Sequence, residues 1–176
     1  MAVIHAKPIE GARRQLETAI GLLFNGGDVI SIHTLVAAGG RTLSALADQR
    51  TTELDPVAFI REGREEQFAD LMDQTLAFFH YPDQDAAILL DGVQEEINDL
   101  MLFQCCYWYE ALGNPLGRAM GAFAAWFVVM YQDLFVENHP YKQRIAQENF
   151  DWLRDASRTQ KLVFGQRLLM ANNKNL

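Results

Sequence analysis

The sequence has little cysteine, little proline and no stretch with the pattern of a β-strand. Its two cysteines, Cys105 and Cys106, are adjacent. Neighbouring positions on a helix point about 100° apart, so this pair suits core packing better than a disulfide or a shared metal. No segment alternates apolar and polar residues, and no period of about 20 to 50 residues repeats. These absences exclude a disulfide framework, a β-sheet fold and a repeat array.

Long hydrophobic runs are also missing. Residues 1–14 lack the continuous apolar segment of a secretory signal, which predicts a cytoplasmic protein. The most apolar run, 119–131, is thirteen residues long and too short to cross a bilayer. We therefore expect a buried helix at this run and no membrane partner.

Positive charge is scarce in most of the chain. The sequence carries 15 Lys and Arg against 23 Asp and Glu, a formal net charge of -8. Residues 1–139 hold eight basic and twenty acidic residues, whereas residues 140–176 hold seven and three. Neutralising phosphates needs a basic surface, so nucleic-acid binding is not expected except through the basic C-terminal segment.

What the chain does have is apolar residues at helical spacing. The 49% hydrophobic content supports one full core, and residues 1–176 are predicted to form a single domain. The fold class is predicted to be an all-α bundle of five to six helices, mostly up-and-down. The predicted helices are 8–24, a second one after Asp28, 56–79 with an interruption near Gly63, 91–112, 115–134 and a long C-terminal helix over about 141–170.

The turn at Gly26 and Gly27 is followed by the candidate binding residues Asp28, Ser31 and His33. Asp28 is predicted to cap the second helix, and Ser31 to support the same terminus. His33 lies beside the apolar line of this helix. We interpret it as an imidazole hydrogen-bonded to a neighbouring helix, with a functional role as the alternative.

No catalytic or metal-binding motif is present in the sequence. The nucleophile-elbow, P-loop and dinucleotide fingerprints are absent, and no Glu-x-x-His pair suggests a two-metal bundle. We therefore expect no metal and no cofactor. One alternative function is a small-ligand or metal-binding bundle that uses His33 with a carboxylate such as Glu17 or Asp73.

Two motifs carry a resemblance to known proteins. Residues 31–35 read Ser-Ile-His-Thr-Leu, and residues 78–83 read Phe-Phe-His-Tyr-Pro-Asp. Together with residues 14–24, they resemble a family of small bacterial helical proteins. The helical layout in turn resembles HEPN domains, which often dimerise and, when active, cut RNA with an arginine and a histidine four to six residues apart.

This resemblance implies a second alternative, a degenerate HEPN-type ribonuclease. Its candidate catalytic residues are His80 as base, Tyr81 at the position of the family's histidine, and Arg64. Fifteen residues separate Arg64 from His80, about 24 Å along one helix, so the two could cooperate only across a dimer.

The preferred interpretation is a non-catalytic interaction module that forms a homodimer and can bind a protein partner. The dimer is motivated by the predicted helix 115–134, which lacks charge between Arg118 and Asp133. If this helix lies at the edge of the bundle, its aromatic residues form an exposed patch that pairing would bury.

Overall fold

The structure is a computed structural model that describes residues 5–50, 62–66, 69, 95–135, 150–153 and 155–171. These ranges contain five α-helices of more than ten residues and no β-strand, which confirms the predicted all-α bundle. The helices are α1 (Pro8–Phe24), α2 (Val29–Arg50), α3 (Glu96–Ala111), α4 (Arg118–Met130) and α5 (Arg158–Met170). Single turns of 3-10 helix follow α4 at Gln132–Leu134 and precede α5 at Asp151–Leu153.

The hairpin of α1 and α2 forms as the sequence predicts. Gly26 adopts a φ of 65°, a left-handed conformation that favours glycine, and the chain reverses there. The Asp28 carboxylate then accepts a hydrogen bond from the Ser31 backbone N–H at 2.7 Å. The predicted cap at Asp28 is confirmed, and so is the prediction that Ser31 supports the same helix terminus. Gly63 lies in a turn with a φ of 88°, where the sequence predicts an interruption, but the helix predicted before it lies outside the described residues.

Two glycines in α2 allow neighbouring helices to approach closely. A Cβ at Gly39 would lie 3.1 Å from a methyl carbon of Leu16 in α1, and a Cβ at Gly40 would lie 3.2 Å from Cys105 Sγ in α3. Glycine is unfavourable inside a helix, and the close packing that it permits here offsets this cost. Cys105 and Cys106 are both buried, as predicted.

The centre of the bundle is formed by α3 and α4. Every residue of α3 from 97 to 106 is buried, and so are most residues of α4. Aromatic rings from four segments pack against one another here, and they come from Phe24, Phe103, Phe123, Trp126, Phe127 and Phe135. A helix buried on all sides lies in the middle of a bundle.

This arrangement removes the observation that motivated the dimer. Phe123, Trp126 and Phe127 are all 0% exposed within a single chain, so α4 presents no aromatic patch. The helix also begins at Arg118, after Gly117, rather than at the predicted Pro115. The homodimer itself stays a prediction that needs a different surface.

The C-terminal helix is shorter than predicted. A continuous helix over 141–170 is wrong, because residues 150–153 and 155–157 are not α-helical and α5 begins at Arg158. Ser157 and Gln160 form a capping box, in which Gln160 Oε1 accepts from the Ser157 backbone N–H at 2.8 Å. The prediction missed this start signal, although Ser-x-x-Gln is readable at 157–160.

By length and composition alone, α2 could also cross a membrane. The core helix of a soluble protein passes the same test. Here Ile32, Val36 and Leu43 of α2 are buried in the core, and 33% of the apolar window of this helix is buried.

Candidate functional site

The first turn of α3 places two polar side chains inside the core. Asn98 is 1% exposed and Asp99 is 0% exposed. Successive residues on a helix point about 100° apart, so the two side chains reach different neighbours. Asn98 contacts α2, whereas Asp99 contacts α5 and the segment after α4. A buried polar group is costly unless it is hydrogen-bonded, so each contact must be accounted for.

Asp99 is held on both carboxylate oxygens. Arg158, the first residue of α5, donates from Nη1 to Oδ2 at 2.6 Å and from Nη2 to Oδ1 at 2.8 Å. The Tyr131 hydroxyl donates to Oδ2 at 2.6 Å. The Arg158 guanidinium also lies 5.5 Å from the centre of the Trp126 ring. Glu95 Oε2 lies 3.7 Å from Arg158 Nε. We call Asp99, Tyr131 and Arg158 the buried charge cluster.

The pKa values in this cluster reflect burial and pairing. Burial raises the pKa of the Asp99 carboxyl above its ordinary value, although Arg158 and Tyr131 oppose that rise. Burial would lower the pKa of Arg158, but its hydrogen bonds to Asp99 and the charge of that carboxylate raise it. Burial and the neighbouring Asp99 also raise the pKa of Tyr131. The cluster is therefore a charged pair with a neutral tyrosine.

His33 and Asn98 form a second, uncharged contact. His33 Nδ1 lies 3.0 Å from Asn98 Oδ1, and Asn98 Nδ2 donates to the backbone carbonyl of Val29 at 3.0 Å. Because the amide nitrogen of Asn98 is engaged as a donor, its oxygen is the acceptor, which assigns the proton to Nδ1 of a neutral imidazole. Burial lowers the pKa of His33 and so favours this neutral form. The predicted hydrogen bond to a neighbouring helix is confirmed.

Other predicted candidates are not brought together. Glu17, suggested as a partner of His33, instead accepts two hydrogen bonds from Arg13 of its own helix, each at 2.9 Å. Arg64 is exposed in the short described stretch 62–66. His80, Tyr81 and Asp73 lie outside the described residues, so the ribonuclease pair stays a prediction.

The buried charge cluster does not present an exposed carboxylate for acid–base chemistry. The two oxygens of Asp99 are occupied by three donors, and Arg158 covers the carboxylate from the side of α5. Among the residues that the structure describes, no group of three or more His, Cys, Asp or Glu side chains could hold a metal ion. The cluster joins helices, and the Asp99 carboxylate is 0% exposed within it.

Exposed apolar side chains of the described surface concentrate on α5 and on the 3-10 turn that precedes it. Trp152, Val163 and Met170 are 58%, 40% and 74% exposed, and the Trp152 ring packs edge-on against Phe164. Val163, Arg167 and Met170 stand at i, i+4 and i+7, so they share one side of α5. Arg167 is exposed as well. We call Trp152, Val163, Arg167 and Met170 the outer face of α5.

Comparisons with known proteins do not extend this picture. No family model matches the chain, and no curated protein or solved structure matches it. The resemblance of residues 14–24, 31–35 and 78–83 to a family of small bacterial proteins, and that of the helical layout to HEPN domains, therefore stay predictions.

Sequence reasoning missed the buried charge cluster and the outer face of α5. A signal for the first was present, because Asn98 and Asp99 interrupt a stretch that is otherwise mostly apolar up to Cys106. The partner of Asp99 lies 59 residues further on, and no local pattern indicates such a distant pairing.

Proposed function

We propose that the protein is a non-catalytic helical interaction module that associates with a second copy through the outer face of α5. The observation that carries the proposal is the concentration of exposed apolar side chains on this face. Of the four large hydrophobic side chains that are exposed in the described ranges, three belong to it, and Ile30 of α2 is the other. Exposed apolar residues that cluster mark an interaction surface more often than scattered ones do.

Charge supports a second copy as the occupant. The outer face carries Arg167 and belongs to the segment 140–176, with seven basic and three acidic residues, whereas residues 1–139 carry eight and twenty. Pairing α5 with α5 would bring two segments of the same positive charge together. Placing α5 of each copy on the acidic surface of the other avoids this repulsion and buries both apolar faces around a two-fold axis.

Light scattering of the purified protein tests this proposal. We expect about 40 kDa, twice the chain mass of 20.0 kDa, at micromolar concentration and low salt. Raising the salt to about 1 M, where the Debye length falls to about 3 Å, should weaken the dimer.

Two substitutions at one position give a matched comparison. Val163→Glu and Val163→Lys remove the same apolar contact, but only the glutamate repels an acidic partner surface. We therefore expect Val163→Glu to be monomeric and Val163→Lys to retain part of the association. A wild-type mass of 20 kDa at low salt, or a dimer that Val163→Glu leaves unchanged, would contradict the proposal.

A further inference from the structure

The attachment of α5 differs from that of the other helices. Its fully buried residue in the described range is Gly165, and its leucines and Phe164 are only partly buried. Helices α1 to α4, by contrast, each place at least six residues in the buried interior. Apolar burial therefore contributes less to holding α5 than to holding any other described helix.

Directional polar contacts hold the first turn of α5. Arg158 binds both oxygens of Asp99, and the Trp126 indole N–H donates to the Lys161 carbonyl at 2.7 Å. A planar guanidinium on a carboxylate fixes orientation as well as distance. Further along, Gln166 Nε2 donates to Asn25 Oδ1 at 3.0 Å. These contacts define how α5 is rotated and placed on the bundle.

The N-terminal cap of α5, by contrast, is formed within its own sequence. Ser157 and Gln160 satisfy the first free amides of the helix within its own sequence. The helix can therefore keep its N-terminal hydrogen bonds when its contacts with α1 and α4 are broken.

We propose that the pair of Asp99 and Arg158 is a clamp that fixes α5 on the bundle, and that α5 can be released as one unit while α1 to α4 stay folded. This inference rests on the proposed function, because the clamp sets how the outer face is presented to a second copy. Release uncovers the Trp126 indole N–H and the part of the Phe24 ring that Gly165 contacts.

General energetics support a positioning role for the clamp. A buried ion pair gains little net stability over apolar side chains of similar volume, because two charges must be removed from water. Burial raises the pKa of Asp99, which is the expected sign of that cost. What the pair supplies is a single orientation of α5.

Amide hydrogen exchange of an uncharged variant tests the clamp. Asp99→Leu, Tyr131→Phe and Arg158→Met together remove both charges and leave no hydroxyl without an acceptor. Because apolar side chains replace the pair, we expect the overall stability, and with it exchange in α1 to α4, to change little. Without the directional contacts α5 loses its single orientation, so its amides should exchange at least about tenfold faster than in the wild type. Arg13→Met, which breaks the surface pair with Glu17, is the matched control and should leave α5 exchange unchanged.

Arg158→Lys provides a second variant if the triple substitution does not fold. Lysine keeps the positive charge but cannot bind both oxygens of Asp99, so faster exchange confined to α5 is again expected. Unchanged α5 exchange, or equal loss of protection in α5 and α1 to α4, would overturn the clamp. These measurements are made on the monomer at high salt, so they test the clamp even where light scattering has ruled out the dimer.

Discussion

Helices α2 and α5 both reach a buried polar residue of α3, but they are attached to the bundle in opposite ways. Helix α2 brings eight buried residues to the bundle, most of them apolar, and adds neutral hydrogen bonds of Asn98 with His33 and with the Val29 carbonyl. Helix α5 brings one buried residue, Gly165, and a charged pair between Arg158 and Asp99. Apolar burial is strong and tolerant of small rotations, whereas a guanidinium on a carboxylate is directional. The difference indicates that α2 is part of the core, whereas α5 packs on the outside of the core.

Breaking the charged attachment should give the largest effect. Arg158→Met leaves the carboxylate of Asp99 buried without its cation, and we expect a loss of about 3 to 5 kcal/mol in the free energy of unfolding. Urea denaturation measures this loss. Arg13→Met removes a partly exposed pair and should cost under about 1 kcal/mol. Equal midpoints for the two variants would mean that Asp99 gains other partners or water.

The close approach of α5 to α1 should give the next largest effect. A Cβ at Gly165 would overlap the ring of Phe24, which is itself fully buried. We expect Gly165→Ala to destabilise the protein by about 1 to 3 kcal/mol, despite the better helix propensity of alanine.

Gly21→Ala in α1 is the matched control for that substitution. No atom lies within 4 Å of a Cβ built at Gly21, so the gain in helix propensity should stabilise the protein by up to about 1 kcal/mol. If Gly21→Ala instead lowers the thermal midpoint, a lower midpoint of Gly165→Ala cannot be assigned to overlap with the Phe24 ring.

The neutral attachment of α2 should respond to pH. Burial lowers the pKa of His33 in the folded chain below the value of 6.5 expected when unfolded. As the pH falls, the unfolded chain therefore takes up the proton first. The stability that neutral His33 contributes is fully present above the unfolded pKa of 6.5, and it is lost as the pH falls from there through the folded pKa.

His33→Gln tests this pH dependence. The amide of glutamine can donate to Asn98, so we expect a loss of about 1 kcal/mol at pH 7. The difference between the two proteins should shrink as the pH falls from about 7 to 5, because only the wild type loses stability through this group. A difference that stays constant across this range would contradict a buried neutral imidazole.

The cap of α2 should give the smallest effect. Asp28→Ala removes the acceptor for the Ser31 N–H and should lower the thermal midpoint slightly at neutral pH. The hydrogen bonds to Ser31 lower the pKa of Asp28, so its contribution is present above the unfolded pKa near 3.8 and is lost as the pH falls through the folded value. Asp28→Asn, which keeps an acceptor, should retain most of the stability without this acid dependence.

Local signals in the sequence predicted the α1–α2 hairpin well. The bounds of α1, the turn at Gly26 and the Asp28 cap all follow from residues near one another in the chain. The same kind of signal exists at Ser157 and Gln160, but the apolar spacing around it suggested an uninterrupted helix. Helical periodicity therefore predicts which residues are helical better than where a helix begins.

The charge cluster and the central position of α4 depend on contacts between distant parts of the chain. The spacing of Phe123, Trp126 and Phe127 shows that α4 is apolar on more than one side, but it does not say whether the same chain or another covers them. The pairing of Asp99 with Arg158 likewise depends on how α5 crosses α3, which the hydrophobic pattern leaves open. Tertiary packing decides both questions.

Native-state hydrogen exchange of the wild-type protein, followed against low concentrations of urea, tests the contrast between α2 and α5 most directly. The account predicts that the interior amides of α5 exchange through a local opening that depends little on urea, at least about tenfold faster than those of α2, which exchange only on global unfolding. Equal protection and equal urea dependence in the two helices would contradict it, because α5 would then be as much a part of the core as α2.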